Sequence, residues 1–149
     1  MENNIDELLP KLNDKDNSAA YKAFQELEKI SDETGMLYEY TDKFAAMVKS
    51  DKYVIRVRGF RLFCKQAKWD KDNKIKENIE ESLSILQDEK PTAVRQALAA
   101  LPDIIKYKPD LHETIKKAVE SINYKRYKES MQGLIEQDIQ NVINVIKKK

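Results

Sequence analysis

Apolar residues recur along this chain at three- and four-residue intervals and nowhere alternate over the length of a strand, so the pattern predicts helices throughout. Ile5, Leu8, Leu9 and Leu12 make a short amphipathic segment, with Pro10 inside it as a kink. Ala20, Ala23, Phe24, Leu27 and Ile30 share one face of a second helix, expected to be capped by Asn17 or Ser18 and to stop near Thr34 and Gly35. Leu37, Tyr40, Phe44, Met47 and Val48 continue at helical spacing to Ser50, and a long helix follows from about Lys52 to Trp69. Asp72 and Asn73 open a helix carrying Ile75, Ile79, Leu83 and Leu86. Pro91 suits the first turn of the next, where a missing N–H costs nothing. Two adjacent stripes, Ala93, Ala97, Ala100, Ile104 and Val94, Leu98, Leu101, Ile105, predict that this helix is buried broadly, with a kink or an early end at Pro102. Pro109 ends it. Asp110 and Glu113 offer a capping-box-like start to a helix with Leu111, Ile115, Val119 and Ile122. A last helix bears Met131, Ile135, Ile139, Val142 and Ile146, with Lys147, Lys148 and Lys149 where cations favour a C-terminus.

The helices come in pairs. Asp51-Lys52-Tyr53-Val54-Ile55-Arg56-Val57-Arg58 aligns with Asp88-Glu89-Lys90-Pro91-Thr92-Ala93-Val94-Arg95, 37 residues further on. Asp14, Asp51, Asp88 and Asn123 fall in the same turn at spacings of 37, 37 and 35. A period of that size predicts a solenoid, in which each unit is too small to bury its own apolar face and must stack on the next. One all-α domain over residues 1–149 is expected, in units of about 1–35, 36–71, 72–109 and 110–149.

The spacing Asp88, Pro91, Val94, Arg95, Ala97, Leu98, Leu101 looks like the turn and inner helix of a HEAT repeat, and Asp51 to Leu62 looks like a second copy. Ile5, Leu8, Leu9, Pro10, Leu12 and Asp14 resemble the outer helix of the same motif. Two departures stand out. The turn Asp lies seven residues before the Arg, one more than the usual pattern, and the Arg position is Tyr21 in the first unit and is lost in the fourth. Val57 to Leu62 followed by Ala67-Lys68-Trp69-Asp70 is similar to small stand-alone HEAT-like proteins of low-GC Gram-positive bacteria. Some of these carry a label borrowed from iron–sulfur assembly, for which one Cys and one His supply no ligand set. The resemblance implies a right-handed α-α superhelix of the HEAT/ARM type with about four helix pairs, and it leaves function among many binding tasks.

Bulk composition narrows those tasks. The chain has 149 residues, of which 36% are charged, and a mean hydropathy of -0.71. Its apolar runs are broken every three or four positions, far short of the roughly 18 residues of a bilayer span. The start, Met1-Glu2-Asn3-Asn4, has no basic region followed by an apolar core, so no secretory signal is expected. With Cys64 as the lone thiol, a disulfide framework and a Cys-rich metal site are excluded, and a cytoplasmic protein without cofactor is expected. A net charge of +1 argues against a dedicated nucleic-acid binder, whose footprint is strongly basic.

No catalytic motif or phosphate loop is visible, so candidate chemistry rests on surfaces. On a helical wheel Arg58, Arg61, Lys65 and Lys68 share a narrow sector. Ile55, Leu62 and Trp69 form an apolar line beside it that either packs on a neighbouring inner helix or stands open. This basic ridge with Trp69 as aromatic anchor is the expected docking site for an acidic protein partner. Plain solvation of a charged face, with Trp69 at a repeat junction, is the competing reading. The HEAT resemblance further implies a ladder in which Arg58 pairs with Asp51 and Arg95 with Asp88. Arg56 points to the core side and calls for a carboxylate partner, and Asp138 lies on the apolar side of the last helix. The expected function is therefore a non-catalytic protein-interaction module. The alternative is a nucleic-acid-binding HEAT-like protein related to alkylpurine DNA glycosylases, echoed in Trp69, Asp70 and Arg61, with Tyr107, Tyr124 and Tyr127 interleaved with Lys106, Lys125, Arg126 and Lys128. A Cys64–His112 dyad is the one conceivable thiol pair.

Overall fold

A computed structural model describes residues 5–148, and every regular element among them is helical. Met1 to Asn4 and Lys149, on which the readings of the N-terminus and of the final lysine run draw, lie outside the described residues. Eight α-helices follow in order: α1 (Ile5–Lys11), α2 (Asn17–Glu33), α3 (Thr41–Met47), α4 (Tyr53–Lys65), α5 (Lys74–Ser82), α6 (Pro91–Tyr107), α7 (His112–Glu120) and α8 (Glu129–Lys147). Short 3-10 turns lead into α3, α7 and α8 and extend α4 and α5.

The long apolar faces decide the packing. α2, α4, α6 and α8 lie side by side in sequence order, while α3, α5 and α7 form a second row behind them. Phe24, Phe44, Phe60, Phe63 and Leu98 are fully buried between the rows. Both stripes of α6 are buried apart from Ala100, which is half-buried, and the helix packs on α4 and α8. Seven of its 17 residues are buried.

Where the local structure differs from expectation, backbone hydrogen bonding gives the reason. α2 is capped by Asp16 rather than Asn17 or Ser18: its carboxylate accepts the N–H of Ser18 at 2.9 Å and of Ala19 at 3.4 Å. The helix expected to run to Trp69 breaks at Lys65, and residues Gln66–Trp69 tighten into a 3-10 turn. The segment from Leu37 also starts as a 3-10 turn, with α3 proper beginning at Thr41. Asn73 precedes α5 in the left-handed region at φ 61°, which Asn tolerates better than most residues. Asp110 and Glu113 make no capping box, since α7 begins after a 3-10 turn at Pro109–Leu111 and has no side-chain cap. Pro102 does not end α6, which continues to Tyr107; beyond it Ile104 and Ile105 are fully buried, and that packing holds the last turns.

The turns repeat a small motif. Asp14 accepts the N–H of Asp16 at 2.8 Å, and Asp88 accepts that of Lys90 at 2.9 Å. Between them Ser50, not Asp51, accepts the N–H of Lys52 at 3.1 Å. Neither α4 nor α6 has a side-chain cap.

Candidate functional site on the front row of helices

Arg61 is the hub of the face formed by α2, α4 and α6. Its Nε and Nη2 donate to the two carboxylate oxygens of Glu28 at 3.2 and 3.0 Å, and its Nη1 donates to Oε1 of Gln96 at 3.0 Å. The guanidinium also lies 4.8 Å from the centre of the Phe24 ring. One turn on, Lys65 donates to Asp32 at 2.9 Å, and Lys68 donates to the Asp32 carbonyl at 3.0 Å. Glu28 and Asp32 are four residues apart on α2, as Arg61 and Lys65 are on α4, so the two helices match acid to base along one line.

Asp103 breaks this match. It is half-buried on α6 and, among the described residues, has no ion pair or hydrogen bond. Burial pushes its carboxyl above the usual range; Lys65 and Lys106 pull it down, and Asp32 adds to the rise. Glu28 is likewise raised by burial against the pull of Arg61 and Lys65. For Lys65, burial favours the neutral amine, but the hydrogen bond from its ammonium to Asp32 and the charge of Asp103 hold it above its ordinary value.

Around these groups lies a hollow of about 270 Å³, floored by Ala99 and Ala100 and walled by Glu28, Arg61, Lys65, Gln96 and Asp103. It shares Arg61 and Gln96 with a second hollow of about 170 Å³ that reaches Tyr21, Tyr53 and Arg58. It shares Ala99 with a third, of about 140 Å³, between α6 and α8. The three form a chain across all four front helices, and small side chains on α6 open its middle.

The residues singled out from sequence are distributed as follows. Arg61 and Lys65 line the central hollow but spend their charge on α2, while Lys68 lies outside its lining and donates to a backbone carbonyl. Trp69 is half-buried beside the end of α2: its Nε1 donates to the Ser31 carbonyl at 2.7 Å, and its ring lies next to Gly35. Ile55 and Leu62 are buried, so the apolar line beside the ridge packs inward. Asp70 bonds Tyr38 and Lys108, so Trp69, Asp70 and Arg61 serve three different contacts. Cys64 is fully buried, burial pushes its thiol well up, and no hydrogen bond joins it to His112, whose Nε2 lies 2.7 Å from the Ile105 carbonyl oxygen.

The ladder is made, with different partners. Arg56, not Arg95, holds Asp88, and Arg95 holds Asp138 instead, Nε to Oδ2 at 2.6 Å. Arg58 pairs with no carboxylate; its Nη2 donates to Asn17 at 3.3 Å, and Asp51 has no ion pair among the described residues. Helical geometry explains the exchange, because positions 56 and 58 differ by about 200° around α4, so one faces the next turn and the other faces α2. Arg95 stands one repeat after Arg58, but Val54 occupies the place of Asn17, so it turns forward to α8. The acids and Gln96 that complete the site are dispersed polar residues in the sequence, and the matching four-residue spacings of Glu28–Asp32 and Arg61–Lys65 are the signal there that relates them.

Among the described residues no group of three or more His, Cys, Asp or Glu stands in metal-binding array, and no helix is long and apolar enough to cross a membrane. No family model matches this chain, and no curated protein or solved structure does either.

Proposed function

We propose that this chain is a non-catalytic protein-interaction module, built as a right-handed HEAT-like superhelix of four units in one domain, whose inner surface is the row α2–α4–α6–α8. The observation that carries the reading is Asp103: a half-buried carboxylate without a partner, beside a hollow whose other charges are already paired. Burying such a group costs stability, so a fold that retains it at the edge of a groove is well suited to a partner that supplies the missing cation. The partner is a protein segment with a Lys or Arg that reaches Asp103 over the Ala99–Ala100 floor.

An acidic partner was the natural expectation from the ridge alone. Its charge basis weakens once Glu28 and Asp32 neutralise Arg61 and Lys65. The same pairing weighs against phosphate backbone on this face, which needs free cations.

Affinity capture with the full chain, on untreated and nuclease-treated lysate in parallel, identifies the partner; Ala99→Trp fills the groove and Asp103→Lys reverses its charge. Both variants, verified as folded, are expected to lose the protein that the wild type captures. Capture unaffected by either variant removes the groove from consideration, and capture abolished by nuclease returns the nucleic-acid reading.

A further inference from the structure

The groove at Asp103 has a second end. The hollow bearing Tyr21, Phe24, Tyr53 and Thr92 is lined from earlier positions of α2, α4 and α6, and the hollow at Asp103 from later positions of the same three helices, with Arg61 and Gln96 common to both. The groove therefore runs along the helices, aromatic at one end and acidic at the other. At the aromatic end Tyr21 is 45% exposed and Tyr53 37%, although most large apolar side chains of this protein are buried. Arg58 lies 5.5 Å from the centre of the Tyr21 ring and Lys90 5.6 Å from that of Tyr53, contacts that hold both rings in place at the rim. Phe24 and Val57, both buried, lie beneath them.

Hydrogen-bonding capacity along this track is lopsided. The hydroxyls of Tyr21 and Tyr53 and the Nε2 of Gln96 have no hydrogen bond among the described residues, and all three can donate. The acceptors between them are engaged, since Arg61 holds both carboxylate oxygens of Glu28 and the Oε1 of Gln96. An extended strand would bring backbone N–H groups with few acceptors to meet them. A helix would bring carbonyls already spent within itself, and the Arg61–Glu28–Gln96 cluster interrupts the continuous apolar strip that a helix face needs. Proline has no N–H, so a proline-rich backbone presents carbonyls alone.

We propose that the segment held in this groove is proline-rich and in the polyproline II conformation, with prolines against Tyr21 and Tyr53 and a Lys or Arg on Asp103. The inference rests on the reading of the groove as a docking surface and names what docks there. Aromatic-lined grooves favour such segments because their extended form is already set before binding. From the middle of the aromatic hollow, between Thr92 and Gln96, to Asp103 is about nine residues of α6, or about 13 Å. At about 3.1 Å per residue the cation stands about four residues from the proline on the tyrosines.

Titration of the isotope-labelled full chain with a heptaproline carrying one arginine at its N-terminus, and with one carrying it at its C-terminus, tests this by chemical shifts. Saturable shifts at both Tyr53 and Asp103 are expected with at least one of the two peptides, and the one that saturates gives the direction of the bound chain. Tyr53→Ala should weaken that binding by at least about tenfold. Asp103→Asn should weaken it several-fold while leaving the binding of plain heptaproline unchanged, and this variant keeps the test decisive if the tyrosine variant misfolds. Absence of saturation with either peptide, equal binding of a glycine–serine peptide with the same arginine, binding that survives Tyr53→Ala, or an arginine peptide indifferent to Asp103→Asn would each overturn the proposal. Where that happens while Ala99→Trp and Asp103→Lys still lose the captured protein, the groove stands and only the proline-rich occupant falls.

Discussion

Arg56 and Asp88 are joined across successive turns by a two-pronged ion pair, Nε to Oδ2 at 2.6 Å and Nη2 to Oδ1 at 3.1 Å. The side chain of Asp88 is 4% exposed and that of Arg56 17%, so the pair is nearly cut off from water. Arg56 also donates to the Ser50 carbonyl at 2.9 Å, and the Tyr127 hydroxyl donates to the carbonyl of Asp88. Three consecutive turns are thereby tied at one point.

Breaking such a pair from one side leaves a buried charge behind. Arg56→Ala is therefore expected to lose about 3 kcal/mol of unfolding free energy. The Arg95–Asp138 pair has the same short bond, but its arginine is 38% exposed, so Arg95→Ala should lose only about 1 kcal/mol or less. Denaturant titration of the two variants side by side reads the difference. Equal losses would show that burial does not govern this ladder.

Gly59 marks the closest approach of α3 and α4. A β-carbon there would collide with Met47 and stand 2.8 Å from the Phe44 carbonyl oxygen, which belongs to backbone and cannot swing away. Gly59→Ala should destabilise by about 1–3 kcal/mol, against the usual gain from replacing a helical glycine. Gly133 on α8 has nothing within 4 Å of such a carbon. Gly133→Ala should accordingly gain about 0.5–1 kcal/mol. Thermal melts of both should move in opposite directions.

Acid should unfold the protein partly through Asp70. Burial alone would raise its carboxyl, yet the Tyr38 hydroxyl at 2.6 Å, the Lys108 ammonium at 2.9 Å and the Ile75 N–H hold it below its ordinary value. A depressed folded value means that the stabilisation is present above the unfolded value and lost as pH falls through the folded one. Asp70→Asn should thus lower stability at neutral pH and make the decline below about pH 4 shallower. Chemical denaturation at a series of pH values measures both; an unchanged acid limb would remove Asp70 as its source.

Asp103 has the opposite sign. Its raised folded value means that ionisation costs stability as pH rises through that value, so Asp103→Asn should be more stable than the wild type at neutral pH while binding the partner less well. Loss of stability in that variant, followed by the same titration, would contradict the reading of Asp103 as a group held at a cost.

The helices were legible in the chain because burial of an apolar stripe at 3.6-residue spacing is a local, one-dimensional constraint: Ala93 to Ile105 announce a broadly buried helix, and the turn residues Asp14 and Asp88 mark the turn inside a helix pair. Local backbone chemistry was legible to a lesser degree, since the cap of α2 was expected at Asn17 or Ser18 and the path of the chain gives it to Asp16. What the charged side chains do was decided by tertiary structure. Arg56 and Arg58 are the same residue two positions apart, yet one meets Asp88 from the next turn and the other meets Asn17 and two aromatic rings from the preceding unit. The stripe Arg58, Arg61, Lys65, Lys68 reads as a positive ridge in one dimension, but in three its two middle charges are neutralised, because Glu28 and Asp32, more than 30 residues earlier, arrive opposite Arg61 and Lys65. A charge's partner depends on which helix packs beside it and in what register, and neither is encoded within the reach of a single helical turn.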